Sequence, residues 1–308
     1  MLVAVPGRRK RGSCWPENGY TASVPRVSSG LGPARRSVAP PLLGSHNTRV
    51  ARLRRLIRRE EPELTVVDGL KLVEDVATCG VPIVELFTVE EHIERLRSHP
   101  ALRDVLDGGR AFRLEPATMA HLAPTRQTQG LLAVVAVPGG RLRPEGVALY
   151  LDRVQDPGNV GGVVRCAAAF GATGVACSQG CADPFSPRAV RASAGQSLLL
   201  AVQPEADLRP LVEAFNRAGG EVVGTVGSGG TPVREWHPRR PVLLVLGNEG
   251  QGLTEEVAAA CARRVTVPLA GAVESLNVAV TAGVILATLS GVAGSPILDR
   301  PSLKGRRR

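Results

Sequence analysis

The stretch DPGNVGGVVRCAAAFGA, residues 156–172, opens as a turn and continues as a helix of small residues, and it decides how the second half of the chain folds. The segment VALYLD (147–152) precedes it and TGVACS (173–178) follows, so a short helix links two strand-like runs. Further runs of the same kind recur as SLLLAV, EVVGTV, PVLLVLG and RVTVP. Their near-continuous leucine and β-branched content predicts a mostly parallel sheet with helices on both faces. One helix in this apolar scheme carries Asn159 and a lone Arg165, two polar groups that packing alone does not require.

Upstream, a second alternation runs from Glu63 to about Pro138. LTVVDG precedes the helical LKLVEDVATCG, PIVELFT precedes EEHIERLRS, and QGLLAVVAV closes a small α/β unit. Before it, NTRVARLRRLIRRE places Val50, Leu53, Leu56 and Ile57 on one helical face and six arginines on the rest; those arginines read either as a solvated charged face or as a first phosphate contact. PGGRLRPEG, residues 138–146, has linker composition. The boundaries that follow are a basic, disordered leader at 1–44, a small α/β domain at 45–138, a larger α/β domain at 147–296 and a basic tail at 297–308. The leader is also what an organellar transit peptide or a start codon set too far upstream would look like.

Composition narrows the function. A formal net charge of +10 over 308 residues points to a nucleic acid as the acidic partner, or to a basic leader on an otherwise neutral enzyme. The only lysines are Lys10, Lys71 and Lys304, so arginine carries nearly all the charge, and arginine forks onto phosphate. Aromatic residues are 3% of the chain, too few for a sheet that stacks successive bases, so backbone charge and shape dominate the expected contacts. The six scattered cysteines, with a single CxxxC at Cys177 and Cys181 and no histidine nearby, suit buried thiols in a reducing compartment, not a zinc site. SLNVAVTAGVILATLSGVAG, residues 275–294, is uncharged and nearly long enough to cross a bilayer, but Asn277, glycines and hydroxyls favour a buried helix.

In an open parallel sheet, ligands sit beyond the carboxyl ends of the strands. Three strands run into glycine- or proline-marked loops there: TVGSGGT (225–231), LGNEGQG (246–252) and VPLAGAVESLN (267–277). No GxGxxG follows the first strand of either unit, no lysine lies between Lys71 and Lys304, His237 is the only histidine of the larger unit, and no GxSxG occurs. Dinucleotide, phosphate-loop, pyridoxal and serine-hydrolase chemistries are therefore disfavoured. Methyl transfer from S-adenosylmethionine needs no metal, histidine or covalent nucleophile, because the sulfonium already activates the methyl group and the protein has chiefly to align donor and acceptor.

LDRVQDPGNVGGVVRCAAAFGA, LVLGNEGQGL and VPLAGAVESLNVAVTAGVIL resemble, in order and spacing, the three motifs of the SpoU/TrmH branch of the SPOUT RNA methyltransferases. Residues 46–138 are similar to the ribosomal-protein-like substrate-binding domain that often precedes this catalytic domain, with VVDG where the family more often has a glutamate before the glycine. The resemblance implies a trefoil-knotted sheet, a homodimer in the cytoplasm, and 2'-O-methylation of a ribose in ribosomal or transfer RNA. It implies catalytic roles for Asn159, Arg165, Glu249, Ser275 and Asn277, and cofactor contacts, largely through backbone, at Gly227, Leu246, Gly247, Val267, Leu276 and Asn277. Since a guanidinium is essentially never deprotonated, Arg165 is expected to clamp a phosphate and stabilise developing alkoxide charge; the alternative is a salt bridge to Asp156 or Glu249. Glu249 is expected to order the cofactor loop or orient Arg165, and Ser275 to cap the last helix. RASAG, residues 191–195, also matches a family segment but receives no firm role. A non-catalytic RNA-binding or ribosome-assembly protein on the same scaffold is the alternative, set against by the presence of all five polar residues.

Overall fold

The computed structural model describes residues 39–123, 128–271, 273 and 275–291. They form two sheets. The first has the order β1-β4-β3-β5-β2 and is built from β1 (Leu42–Leu43), β2 (Leu64–Asp68), β3 (Ile83–Thr88), β4 (Ala111–Leu114) and β5 (Leu131–Ala136). Here β5 runs antiparallel to both β2 and β3, while β4 runs parallel to β1 and β3. Its helices are α1 (Thr48–Ile57), α2 (Leu70–Thr78), α3 (Ile93–Ser98), α4 (Pro100–Asp107) and α5 (Pro116–Leu122).

The second sheet is parallel throughout and has the order β10-β12-β9-β11-β6-β7-β8. Its strands are β6 (Val147–Leu151), β7 (Gly174–Cys177), β8 (Ala201–Gln203), β9 (Glu221–Thr225), β10 (Thr231–Pro232), β11 (Val242–Leu246) and β12 (Arg263–Thr266). Between and after them come α6 (Pro157–Ala169), α7 (Pro187–Ala192), α8 (Leu208–Arg217), α9 (Glu255–Ala260) and α10 (Val278–Gly291). Every residue of β6 and β11 is buried, as strands covered on both faces require.

Small residues in α6 have a packing cause. A Cβ on Gly162 would lie 2.8 Å from the Cβ of Ala279 on α10, and one on Gly161 would lie 2.4 Å from the carbonyl oxygen of Ala189 on α7. The Cys166 thiol reaches the Ala279 carbonyl at 3.5 Å. Two helices thus approach α6 so closely that Gly161 and Gly162 have no room for a side chain.

Several boundaries differ from the sequence reading. Residues 42–43 are not part of a leader but form β1, and the Arg113 amide donates to Pro41 O at 2.9 Å beside it. Two-residue β1 and β10 and four-residue β4 are too short to show a period. SLLLAV, residues 197–202, begins in a 3₁₀ turn, Gln196–Leu198, and only its last two residues belong to β8. The expected leader up to residue 38, the tail at 297–308 and positions 124–127 between α5 and β5 lie outside the described residues. Five of the six arginines in and just after α1 pair with nearby acids, Arg49 with Glu85, Arg52 and Arg55 with Glu61, Arg58 with Glu60 and Arg59 with Asp183, while Arg54 donates to Ser45 O. Among the described residues no helix is long and apolar enough to cross a membrane.

Candidate active site

Strands β12, β9, β11 and β6 are consecutive neighbours, so the loops leaving their carboxyl ends converge at one edge of the sheet. The loops after β9 and β12 are joined directly, because the Thr266 hydroxyl donates to Gly227 O at 3.1 Å and Val226 N donates to Val265 O at 2.9 Å. The loop after β11 closes on itself. Asn248 and Gly252 exchange backbone hydrogen bonds of 3.0 and 2.9 Å, and the Asn248 side chain accepts from the Gly250 and Gln251 amides while donating to Arg153 O. A Cβ on Gly247 would lie 2.4 Å from the Gly252 backbone, so this position admits glycine alone. That tight loop carries Glu249 at its exposed tip.

The Glu249 carboxylate accepts a hydrogen bond from Nδ2 of Asn159, and Oδ1 of Asn159 accepts from Nδ2 of Asn277 at 2.8 Å. Oδ1 of Asn277 in turn accepts from the Ala279 and Val280 amides at 2.9 and 3.3 Å, capping α10. The direction of this chain is forced. An ionised carboxylate only accepts and a helix-start amide only donates, so each asparagine has one consistent orientation. Asn159 is itself fixed by the start of α6, where Asp156 accepts from the Gly158 and Asn159 amides at 2.7 and 3.1 Å and Pro157 takes the first helical position.

Three of the five expected catalytic residues, Asn159, Glu249 and Asn277, therefore meet although they are far apart in sequence. Arg165 stands apart from this chain, exposed on α6 next to Cys166, beside the α6–α10 seam. Among the described residues it makes no ion pair or hydrogen bond. Asp156 pairs with Arg188 at 2.9 Å and Glu249 is held by Asn159, so the alternative salt bridge of Arg165 does not form. Ser275 is exposed and does not cap the last helix; Asn277 does, and α10 starts at Val278. Asn277, expected on a buried helix, is exposed in the single chain, with Nδ2 donating to Asn159 and Oδ1 accepting from the start of α10.

Of the expected cofactor positions, Gly227, Gly247 and Val267 lie on the three converging loops, and Leu276 and Asn277 precede α10. The Leu246 side chain is wholly buried and its carbonyl accepts from Asp152 N at 2.8 Å, so it ends the strand beneath the loop. The sequence reading missed the supporting residues Asp152, Asp156 and Asn248. Buried Asp152 accepts from Thr254 N at 2.7 Å and anchors the far side of the Gly247–Gly252 loop. An Asp-Pro pair ahead of an apolar run is a helix-start signal that could have identified Asp156 as the cap. A groove of about 610 Å³ opens elsewhere, where the two sheets meet, lined by residues including Arg59, Pro138, Cys181, Asp183 and Phe185 and by none of the expected site residues.

Comparisons with known proteins identify the family of the second sheet and its loops. Residues 146–287 match the model of the SpoU rRNA Methylase family. Over 193 residues the chain is 37% identical to an uncharacterized tRNA/rRNA methyltransferase of Synechocystis sp., covering 61% of this chain and 70% of that protein. It is 29% identical to the 23S rRNA (guanosine(2553)-2'-O)-methyltransferase RlmP of Bacillus subtilis, covering 76% of this chain and 91% of that protein. Among solved structures, the AdoMet-bound rRNA methyltransferase from Sinorhizobium meliloti superposes with a TM-score of 0.70 at 28% identity, covering 80% of this chain and 96% of that one. With its parallel sheet, its three converging loops and this degree of identity, the chain belongs to the SpoU rRNA methylase family.

Proposed function

We propose that this protein transfers the methyl group of S-adenosylmethionine to a ribose 2'-hydroxyl in ribosomal or transfer RNA. The observation that carries the reading is the Glu249–Asn159–Asn277 hydrogen-bond chain at the carboxyl edge of the parallel sheet. Relatives support it: RlmP is named a 23S rRNA 2'-O-methyltransferase, and the Sinorhizobium protein was solved with AdoMet.

The residues present fit the cofactor. Loops at 226–230, 247–252 and 267–271 offer mainly backbone groups, the Gly227 and Thr266 segments are tied together, and Gly247 keeps the middle loop tight. Gly227, Leu246, Gly247, Val267, Leu276 and Asn277 would hold it. Bound there, S-adenosylmethionine supplies a methyl group already activated on a sulfonium. Asn159 and Asn277 hold the loop tip and the start of α10 in register, Glu249 fixes the Asn159 amide, and Ser275 faces the ribose. Arg165, free of any acid among the described residues, clamps a substrate phosphate and stabilises charge developing on the 2'-oxygen.

In the same reading, the unit that begins at β1 and runs to residue 138 is the RNA substrate-binding domain and 147–296 the catalytic domain, with a trefoil knot where the chain returns from β12 to pack α10 on α6. The protein works in the cytoplasm as a homodimer through α10, whose outer face exposes Val280 and Val284 by 50% and 37% in the single chain. The test is to map 2'-O-methyl groups in total RNA from cells with and without the protein. Loss of methylation at a defined ribose is expected; an unchanged map, with RNA binding retained, would instead favour a non-catalytic RNA-binding protein.

A further inference from the structure

The RASAG turn, residues 191–195, takes no part in the site above, yet it stands where the two sheets meet. On one side it grips the first sheet. Nη1 of Arg191 donates to Oδ2 of Asp68 at 3.1 Å, and Asp68 is buried at the end of β2. Just before α7, Phe185 O accepts from the Thr65 hydroxyl of β2 at 2.6 Å. Just after α7, Gly195 adopts φ +79°, and a Cβ there would lie 2.8 Å from Val76 of α2.

The other side of α7 holds the catalytic helix. Ala189 O lies against Gly161 with no room for a side chain, and Arg188 pairs with Asp156, the residue that caps α6 and fixes the Asn159 amide. A single six-residue helix thus connects the end of β2 to the first turn of α6. The two connections use different side chains, Arg191 and Arg188, so one can be broken while the other persists.

We propose that Arg191 is a positioning residue whose ion pair with Asp68 fixes the small domain relative to Asn159 and Arg165, so that RNA held by that domain reaches the site in register. This rests on the RNA-methylation reading given above. Asp68 is a buried carboxylate, and a buried charge held by an arginine on the facing element is a directional joint: displacement of the domain would strip the carboxylate of that partner. Because α7 stays attached to α6 through Gly161 and Arg188, loss of Arg191 loosens the hold of the small domain on α7 without disturbing the amide chain.

The test compares Arg191→Met, Asp68→Asn and Arg191→Lys with the full-length wild type. For a long structured RNA, KM should rise roughly tenfold in the first two, with kcat at saturating RNA and the Kd for S-adenosylmethionine within about twofold, and Arg191→Lys should recover part of the loss. Without RNA, small-angle scattering should broaden and amide exchange should quicken in β2 and around residues 183–186. Thr65→Val, which removes an independent contact across the same joint, should shift exchange in the same direction should either charge variant fail to fold. Unchanged scattering, exchange and KM would overturn the proposal, as would a cofactor Kd that rises in step with KM. If the wild type methylates no RNA, the scattering and exchange still decide whether the joint exists, and only the functional reading falls.

Discussion

Asn277 and Asn159, separated by 118 positions, are joined side chain to side chain, with Nδ2 of the first donating to Oδ1 of the second at 2.8 Å. The same Asn159 donates to Glu249, so one amide ties the start of α6, the loop after β11 and the start of α10 together. Asn159→Asp would set a second carboxylate against Glu249 and remove the donor between them. Methyl transfer should fall by about 100-fold, and adding Glu249→Gln should restore thermal stability without restoring full activity. Assays with labelled cofactor and melting curves check this; wild-type activity in Asn159→Asp would remove the amide from the mechanism.

Arg165 has no acid to satisfy among the described residues, so its loss should affect chemistry more than folding. Arg165→Ala should lower kcat by about 10²–10³-fold while cofactor affinity stays within a few-fold. Arg165→Lys should rescue poorly, because a point charge does not replace a fork on phosphate. Equal losses of activity and cofactor binding would make the residue structural.

The seam between α6 and α7 gives a stability prediction. Gly161→Ala places a methyl group 2.4 Å from the Ala189 carbonyl, so the helices must separate. The cost should be about 1–3 kcal/mol, read from urea denaturation midpoints at constant slope. A neutral outcome would mean that α7 yields more readily than its two-sided contacts imply.

The apolar outer face of α10 predicts the oligomer. Val284→Glu puts a charge on that face and should convert a dimer to monomers in light scattering, with activity falling alongside. A monomeric wild type would refute the proposed α10 interface.

Cys181 should titrate first among the thiols of the domain junction. A hydrogen bond from Cys177, helped by Ser178 and the Val154 amide, pushes its pKa down to about 7, whereas burial pushes Cys261 up to about 11. Cys177, fully buried and donating to that thiolate, is shifted upward. Iodoacetamide labelling followed by peptide mass analysis should show Cys181 half-reactive near pH 7, with Cys177 unreactive. Since folding lowers the Cys181 pKa from 9.0, the stability gained from its thiolate is full above about pH 9 and is lost as pH falls through about 7. Equal labelling of both cysteines would contradict this order.

The sequence by itself determined the parallel sheet, because continuous apolar runs broken by small-residue helices leave little other way to bury both faces. It also determined where loops would gather, since glycine and proline mark the ends of β9, β11 and β12. Asn159 and Asn277 stood out for the same reason, as amides in otherwise apolar helices. Tertiary structure alone decided the pairings: Glu249 meets Asn159 and not Arg165, Asn277 reaches Asn159, and Arg191 reaches across to Asp68. Periodicity and turn chemistry are written in neighbouring residues. Which side chains share a hydrogen bond across ninety or more positions depends on strand order and helix approach, and no local pattern encodes those.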